Sequence, residues 1–227
     1  MSVTPREPSP TPWLITAAVV AYGVGSLFRA YQTTGIGLYR MFGTIGIVII
    51  GYLGTRVFVT AVTAEGRRKL REALESLPEG FLLVPQVALT DGQGRKVDVE
   101  YLIVGRGAVH LLAVDETPPH TRSTGRLQRR KRIAARLWEA YRLCHRLLQG
   151  QGVANYAVQP ALLATLAAPS DEPGALVVEG LPLVAPEQLA EHLEKYDQSP
   201  DPYESVREGE PGPDDQQRLH SFFAGML

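Results

Sequence analysis

The sequence predicts a mixed α/β domain that follows an N-terminal transmembrane helical hairpin. Two observations lead to this fold class: apolar residues concentrate in the first sixty or so positions, and the remainder alternates strand-like with helix-like segments. The chain has 227 residues and a formal net charge of −1. Beyond a membrane segment there is room for one domain of about 150 residues. The single cysteine excludes an intramolecular disulfide framework and a multi-cysteine zinc or iron–sulfur site.

Two apolar runs predict the hairpin. The first extends from Trp13 to Phe28, and the second begins after Arg40 and continues past Arg56. Each is at the short end of what spans a hydrocarbon layer of about 30 Å, with arginines at the head-group boundary. We expect a leader over residues 1–12 and a hairpin over 13–64. The alternatives are a cleaved signal peptide and two buried soluble helices, but no compact cleavage site follows and both runs are apolar on every face.

The basic residues that flank the two runs predict their orientation. Arg67, Arg68, Lys69 and Arg71 follow the second run, whereas Arg29 and Arg40 flank the loop between the runs. The positive-inside rule then places the leader and the following domain in the cytoplasm of a multi-pass membrane protein.

Small residues recur on both predicted helices. Ala17, Ala21 and Gly25 are four residues apart in the first, and the second contains Gly43, Gly46, Gly51 and Gly54. Small residues let transmembrane backbones approach closely. We expect them to pack the two helices against each other; the alternative is a homo-oligomer or contact with another membrane protein.

Residues 65–196 predict one α/β domain. The expected order is a helix over 65–77, strands over 81–89, 96–104 and 108–115, a long helix over 126–149, strands over 161–168 and 175–184, and a helix over 186–196. Glycine turns join the first three strands into a meander. Residues 197–227 predict an acidic, disordered tail whose last residues form a short helix.

The segment from Leu70 to Asp115 resembles the nuclease-related domain (NERD), a bacterial relative of the PD-(D/E)xK nucleases. In that family a helix ending in L-x-x-L-P precedes a strand, then the pattern eIDhlvvg and, after a glycine turn, GvfvIEvK. Here KVDVEYLIVG stands at 96–105 and GRGAVHLLAVD at 105–115. The resemblance implies a PD-(D/E)xK/NERD-like fold over about residues 67–195 and a bacterial cell membrane. Members of this family are often membrane-anchored, which agrees with the hairpin.

The resemblance also implies where a catalytic site would lie. The superfamily uses a carboxylate on the second strand, an acidic residue on the third and a lysine two positions later, which together hold Mg²⁺ and activate water. Asp98 stands at the first position, but Ala113-Val114-Asp115 replaces the E-x-K motif. We therefore expect no nuclease activity and no cofactor. The alternative is a Mg²⁺-dependent nuclease with a migrated acidic site at Asp98, Glu100 and Asp115, in which Asp98 binds the metal.

A dense basic segment is the strongest remaining signal. Nine basic residues between Thr121 and Arg146 stand against Glu139 alone, and ten acidic residues between 187 and 215 stand against two basic ones. We predict an anion-binding surface for an anionic lipid, a nucleic acid or an acidic protein, formed by Arg126, Arg129, Arg130, Lys131, Arg132 and Arg136. A solvated helix face is the alternative for such a charge run.

The expected function is that of a membrane-anchored, catalytically inactive NERD-like domain that serves as a binding or scaffolding module. Two rival functions remain at this point. One is the tethered nuclease with the migrated site. The other is a structural subunit whose glycine-rich hairpin assembles with other proteins of the membrane.

Overall fold

The computed structural model describes residues 11–90, 94–118, 123–153, 156–166, 176–197 and 214–226. The chain divides into two compact units, one up to Arg67 and one from Arg68 onward. Most of the predicted leader, residues 1–10, and most of the predicted acidic tail, residues 198–213, lie outside the described residues.

The N-terminal unit consists of helix α1, Thr11–Thr34, and the first part of helix α2, Gly37–Glu75. Both helices are long and apolar enough to cross a membrane. Large apolar side chains such as Val19, Val48 and Phe58 are exposed on them. Helices buried in a soluble protein would hide these side chains, so the exposure is typical of helices that face lipid.

Two glycines bring α1 and α2 together. A Cβ added at Gly46 would overlap the side chain of Val24, and one at Gly43 would lie 2.7 Å from a ring carbon of Phe28. Gly25, Gly51 and Gly54 have no such neighbour within 4 Å. Close packing of the two helices is therefore found at Gly43 and Gly46.

Helix α2 has no break where the sequence predicted a separate helix over 65–77. It continues from Gly37 to Glu75 without interruption. No proline occurs between Gly37 and Leu77, and an interior glycine such as Gly66 costs a helix only about 1 kcal/mol, so nothing ends the helix before Pro78.

The second unit contains a six-stranded mixed sheet. The strands are β1 Leu82–Thr90, β2 Lys96–Val104, β3 Ala108–Asp115, β4 Ala157–Ala164, β5 Val177–Val178 and β6 Leu181–Val184. Their order is β1-β2-β3-β4-β6-β5. Strands β1 to β3 pair antiparallel as the predicted meander, β3 pairs parallel to β4 and β4 to β6, and β5 with β6 forms a hairpin. The predicted mixed α/β class is confirmed.

Two strand predictions differ from the structure. Strand β4 begins at Ala157 rather than 161, with Pro160 inside it. Pro160 precedes the residues that pair with β6, Leu162 and Leu163, so its missing N–H leaves that ladder intact. The strand predicted over 175–184 is a short hairpin, which turns at Glu179 and Gly180, both with positive φ.

The helices of the second unit are α3, Thr124–Gly150, α4, Leu189–Asp197, which follows a 3-10 turn over Pro186–Gln188, and α5, Asp215–Ala224. One core layer lies between the sheet, α3 and α5, and includes Leu137 and Phe223. The other includes Leu70 from the end of α2 and Leu193 from α4. Helix α5 lies where the sequence predicted a C-terminal helix, and its buried apolar side chains make it part of the domain.

Candidate functional site

Asp115, which stands where the nuclease-related sequences that this chain resembles have lysine, is engaged in a buried ion pair. It ends strand β3 and is 0% exposed. Its Oδ2 accepts a hydrogen bond from Arg130 Nε at 2.6 Å, and its Oδ1 accepts one from the backbone N–H of Thr117 at 3.0 Å. Arg130 Nη2 donates in turn to the carbonyl oxygens of Thr117 and Pro118. The pair therefore fastens the start of α3 to the segment that follows β3.

Because of this pair, Arg130 is not available for the predicted anion-binding surface and Asp115 is not available for the alternative nuclease site. Arg130 is only 3% exposed, so it does not belong to an exposed anion-binding surface. Its position was readable in the sequence: it lies four residues before Ala134 and seven before Leu137, on the buried stripe of α3. The carboxylate of Asp115 is occupied by its hydrogen bonds and is closed to water.

Asp98 and Glu100 lie apart from this ion pair, in a shallow groove open to solvent. The groove has a volume of about 470 Å³ and is lined by Gln86, Ala88, Lys96, Asp98, Val99, Glu100 and Met226. The Asp98 side chain is 80% exposed, and Lys96 Nζ is 3.7 Å from its Oδ1. An exposed pair of this kind contributes little to stability.

Glu100 marks the point where strands β2 and β3 separate. Their pairing extends from Val104 and Val109 to Tyr101 and Leu112 and ends there. Beyond it, Glu100 Oε2 accepts a hydrogen bond from the backbone N–H of Val114 at 2.8 Å. The Glu100 carboxylate thereby replaces the backbone acceptor that β2 no longer offers to the Val114 N–H.

The three acidic candidates do not converge. Asp98 and Glu100 share the open groove, whereas Asp115 is buried against Arg130. Within the described part of the chain, no three His, Cys, Asp or Glu side chains form a group that could hold a metal ion. A Mg²⁺ site needs several oxygen ligands around one ion, and these three residues do not provide it.

The structure contains a second buried polar cluster, around Asp197, which the sequence did not predict. Asp197, the last residue of α4, is 4% exposed. Its carboxylate accepts hydrogen bonds of 3.1 to 3.2 Å from the backbone N–H groups of Arg106, Gly107 and Ala108, in the turn between β2 and β3. A Cβ at Gly105 would overlap Asp197 Oδ1, so the turn needs glycine there. The contact of Asp197 with this turn joins residues about ninety positions apart, so no local sequence pattern predicts it.

His110 lies beside this carboxylate, and His192, on α4, lies near His110. Burial lowers the pKa of His110, and it lowers the pKa of His192 to about 3, with the charge of Lys195 and the nearby His110 adding to the effect on His192. Burial alone would raise the pKa of Asp197, but its neighbour His110 and the backbone donors outweigh burial and lower it. His110 Nε2 is 3.9 Å from Asp197 Oδ1, which is outside hydrogen-bonding distance. We therefore attribute the lowered pKa of Asp197 mainly to the backbone N–H donors.

His110 packs inside the domain, on the face of β3 opposite Ala113 and Asp115. The cluster of His110, His192 and Asp197 anchors the end of α4 to the sheet.

Helix α3 presents the remaining basic residues to solvent. Arg129 lies 3.6 Å from Glu116, and Lys131 lies 3.7 Å from Glu179. Arg126, Arg132 and Arg136 are exposed, and none of them has an ion pair with the described residues. We define the basic face as four arginines spaced three or four positions apart along one side of the helix: Arg126, Arg129, Arg132 and Arg136.

A second set of arginines provides a comparison on the same helix. Arg142 and Arg146, with Arg95 from the segment before β2, line a groove of about 250 Å³ that also contains Glu139. This groove extends along α3 from Ala135, next to Arg136, to Arg146. Its acidic residue makes it less positive than the basic face.

No protein family model, no curated protein and no solved structure matched the chain. The resemblance to the nuclease-related domain therefore stays a prediction, supported by the residues of β2 and β3 that suggested it.

Proposed function

We propose that the chain is a membrane-anchored binding module, in which a NERD-like domain presents the basic face of α3 to an anionic partner. The observation that carries the proposal is the exposure of Arg126, Arg132 and Arg136 without an ion pair to any of the described residues. Like charges crowded on one helix destabilise it, and an anion that neutralises them relieves that repulsion.

Two further observations support this function over catalysis. The carboxylate that a migrated nuclease site would need, Asp115, is bound to Arg130 inside the domain. The remaining pair, Asp98 and Glu100, offers one exposed carboxylate and one that accepts a backbone hydrogen bond. The domain is then a catalytically inactive relative of the nucleases, and its exposed charge serves binding.

The proposed anchor is the hairpin of α1 and α2, with the domain on the cytoplasmic side of a bacterial membrane. The length and apolar composition of both helices support it, as do the basic residues that follow the second apolar run. Resistance of the chain to alkaline carbonate extraction from membranes tests the anchor. Release into the soluble fraction would contradict it.

Retention of the full-length chain on immobilised heparin, in neutral detergent, tests the binding function. Replacing Arg126, Arg132 and Arg136 with glutamine should lower the salt concentration needed for elution, because three cations leave one surface. The matched control replaces Arg95, Arg142 and Arg146 with glutamine, which changes the net charge equally. Equal shifts in both variants would show that total charge, not the basic face, causes retention.

A further inference from the structure

Helix α2 carries an arginine inside its apolar stretch. The stretch extends from Met41 to Ala64, and apart from Tyr52 the only ionisable side chain in it is Arg56. At 1.5 Å per residue, Arg56 lies about 22 Å from Met41 and about 12 Å from Ala64. A hydrocarbon layer of about 30 Å that covers this stretch encloses Arg56, so the residue lies deeper than the head-group boundary expected from the sequence. A charged side chain at such a depth is costly unless it meets a counter-charge.

The side chain of Arg56 is directed towards the N-terminal end of α2. Its Nε donates a hydrogen bond to Tyr52 Oη, one turn earlier, at 2.8 Å, and its guanidinium carbon lies 5.3 Å from the centroid of the Tyr52 ring. The nearer end of the apolar stretch is the C-terminal one, so Tyr52 holds the guanidinium away from that boundary. An arginine that reaches lipid phosphates extends towards the nearer boundary instead. The geometry favours an anion inside the membrane.

Arg56 belongs to a row of exposed side chains along one side of α2. We define the free row as Ile45, Ile49, Tyr52, Arg56 and Val59, all of which are exposed. Their spacing of four, three, four and three positions is the spacing by which one helix packs along another. The contact with α1 lies on a different side of α2, at Gly46 and Gly43, which are about 80° and 140° around the helix from Arg56.

The missing counter-charge indicates what covers the free row. Within the described part of the chain, Arg56 has no ion pair. The sequence from Trp13 to Ala64 contains no aspartate, glutamate or histidine, so a second copy of the hairpin would bring no anion to Arg56. Acyl chains would cover the aliphatic side chains but leave the cation unpaired. A carboxylate on a different transmembrane helix matches the planar guanidinium in charge and geometry.

We propose that the free row of α2 docks against a transmembrane helix of another membrane protein, in which an aspartate or glutamate carboxylate binds Arg56. Tyr52 positions the guanidinium, and the aliphatic side chains of the row pack on either side of the ion pair. The proposal rests on the proposed anchor, since the ion pair forms inside the membrane. The partner is distinct from the anion that the basic face of α3 binds.

A synthetic transmembrane helix tests whether the row selects a carboxylate. The full-length chain carries a donor fluorophore at Thr34→Cys, at the end of α1; the native Cys144 is buried and its thiol pKa is raised, so it stays unlabelled. It is reconstituted in phosphatidylcholine vesicles with a labelled leucine–alanine helix that has one aspartate at the depth of Arg56, or alanine there as the control. We expect about five- to thirtyfold stronger association with the aspartate peptide.

Two variants identify the residue responsible. Arg56→Leu should remove the preference for the aspartate peptide, because the cation is lost. Arg40→Leu, the matched control, also removes one arginine from α2 but lies before the apolar stretch, and it should keep the preference.

Photo-crosslinking in the native membrane tests the partner itself. Benzoylphenylalanine at Ile49, in the free row, should crosslink a membrane protein that has an aspartate or glutamate within a transmembrane segment. Arg56→Leu should abolish this crosslink and Arg40→Leu should not. Ile47 is the control position, because it is 54% exposed but about 180° around the helix from Arg56, and it should not give the same product.

Three results would overturn the proposal: equal association of the two peptides, a crosslink at position 49 that Arg56→Leu leaves unchanged, and crosslinks at position 49 only to lipid or to a second copy of the chain. Failure of the anchor is separate from failure of the partner. A chain that resists carbonate extraction but gives no crosslink dependent on Arg56 keeps its anchor and loses the proposed partner, whereas release by carbonate removes both.

Discussion

Replacing Arg130 with methionine should destabilise the domain strongly, although the residue belongs to a run of basic side chains. Asp115 is 0% exposed, so water cannot replace the lost guanidinium, and the carboxylate would keep one hydrogen bond, from the Thr117 backbone. Breaking a buried ion pair by removal of one partner costs about 3–5 kcal/mol. The carbonyl oxygens of Thr117 and Pro118 would also lose a donor.

The double variant distinguishes an ion pair from mere packing. Asp115→Leu alone should also cost about 3–5 kcal/mol, because it leaves the Arg130 charge buried without its carboxylate. Asp115→Leu combined with Arg130→Met removes both charges, and we expect it to be more stable than either single variant. The coupling energy from this cycle should be several kcal/mol in favour of the pair.

Urea unfolding of the full-length chain in neutral detergent measures these effects. The fluorescence of Trp138 in α3 reports on the domain once Trp13, the other tryptophan, is replaced with phenylalanine. Asp98→Ala is the control, because its side chain is 80% exposed and its loss should change the free energy of unfolding by no more than about 0.5 kcal/mol. A cost below about 1 kcal/mol for Arg130→Met would refute the buried ion pair.

Three further predictions follow from the site. The domain should lose stability between pH 6.5 and about 3, because the unfolded state protonates His192 there while the folded state, with a pKa of about 3, does not. His192 contributes about 1.4 kcal/mol per pH unit to this loss in urea titrations, and His110, whose pKa burial also lowers, adds to it. An unchanged slope in His192→Gln would contradict this. Gly105→Ala should cost about 1–3 kcal/mol, since its Cβ would displace the Asp197 carboxylate from the turn, and a thermal midpoint equal to that of the native chain would count against it. Adding Mg²⁺ should produce no cleavage of DNA or RNA; Mg²⁺-dependent cleavage that Asp98→Ala abolishes would restore the nuclease alternative.

Local patterns in the sequence were sufficient for the sheet's first half. Strands β2 and β3 have the predicted bounds, because apolar alternation and glycine turns define both ends. The long helix predicted over 126–149 is α3, whose buried residues include Leu137, Ala140, Cys144 and Leu148. In these segments the local preference and the tertiary environment agree.

The candidate site was less predictable, because its contacts join distant segments. Asp115 stood out in the sequence as an acidic residue at a catalytic position, but its partner lies on a helix fifteen residues later. Asp197 was assigned to a disordered tail, whereas the turn of Gly105 to Ala108 holds it inside the domain. Neither contact leaves a periodic signal. Only the position of Arg130, on the same side of α3 as the buried residues Ala134 and Leu137, indicated that its side chain is buried.

The salt dependence of binding to a polyanion tests the central claim most directly. The full-length chain, held in a neutral detergent, is titrated with fluorescent heparin at several salt concentrations, and log K is plotted against log salt. If the basic face binds the anion, glutamine at Arg126, Arg132 and Arg136 reduces the slope by about two to three, while glutamine at Arg95, Arg142 and Arg146 leaves it nearly unchanged. A native slope near zero, or equal losses in both variants, would contradict a binding module that acts through the basic face.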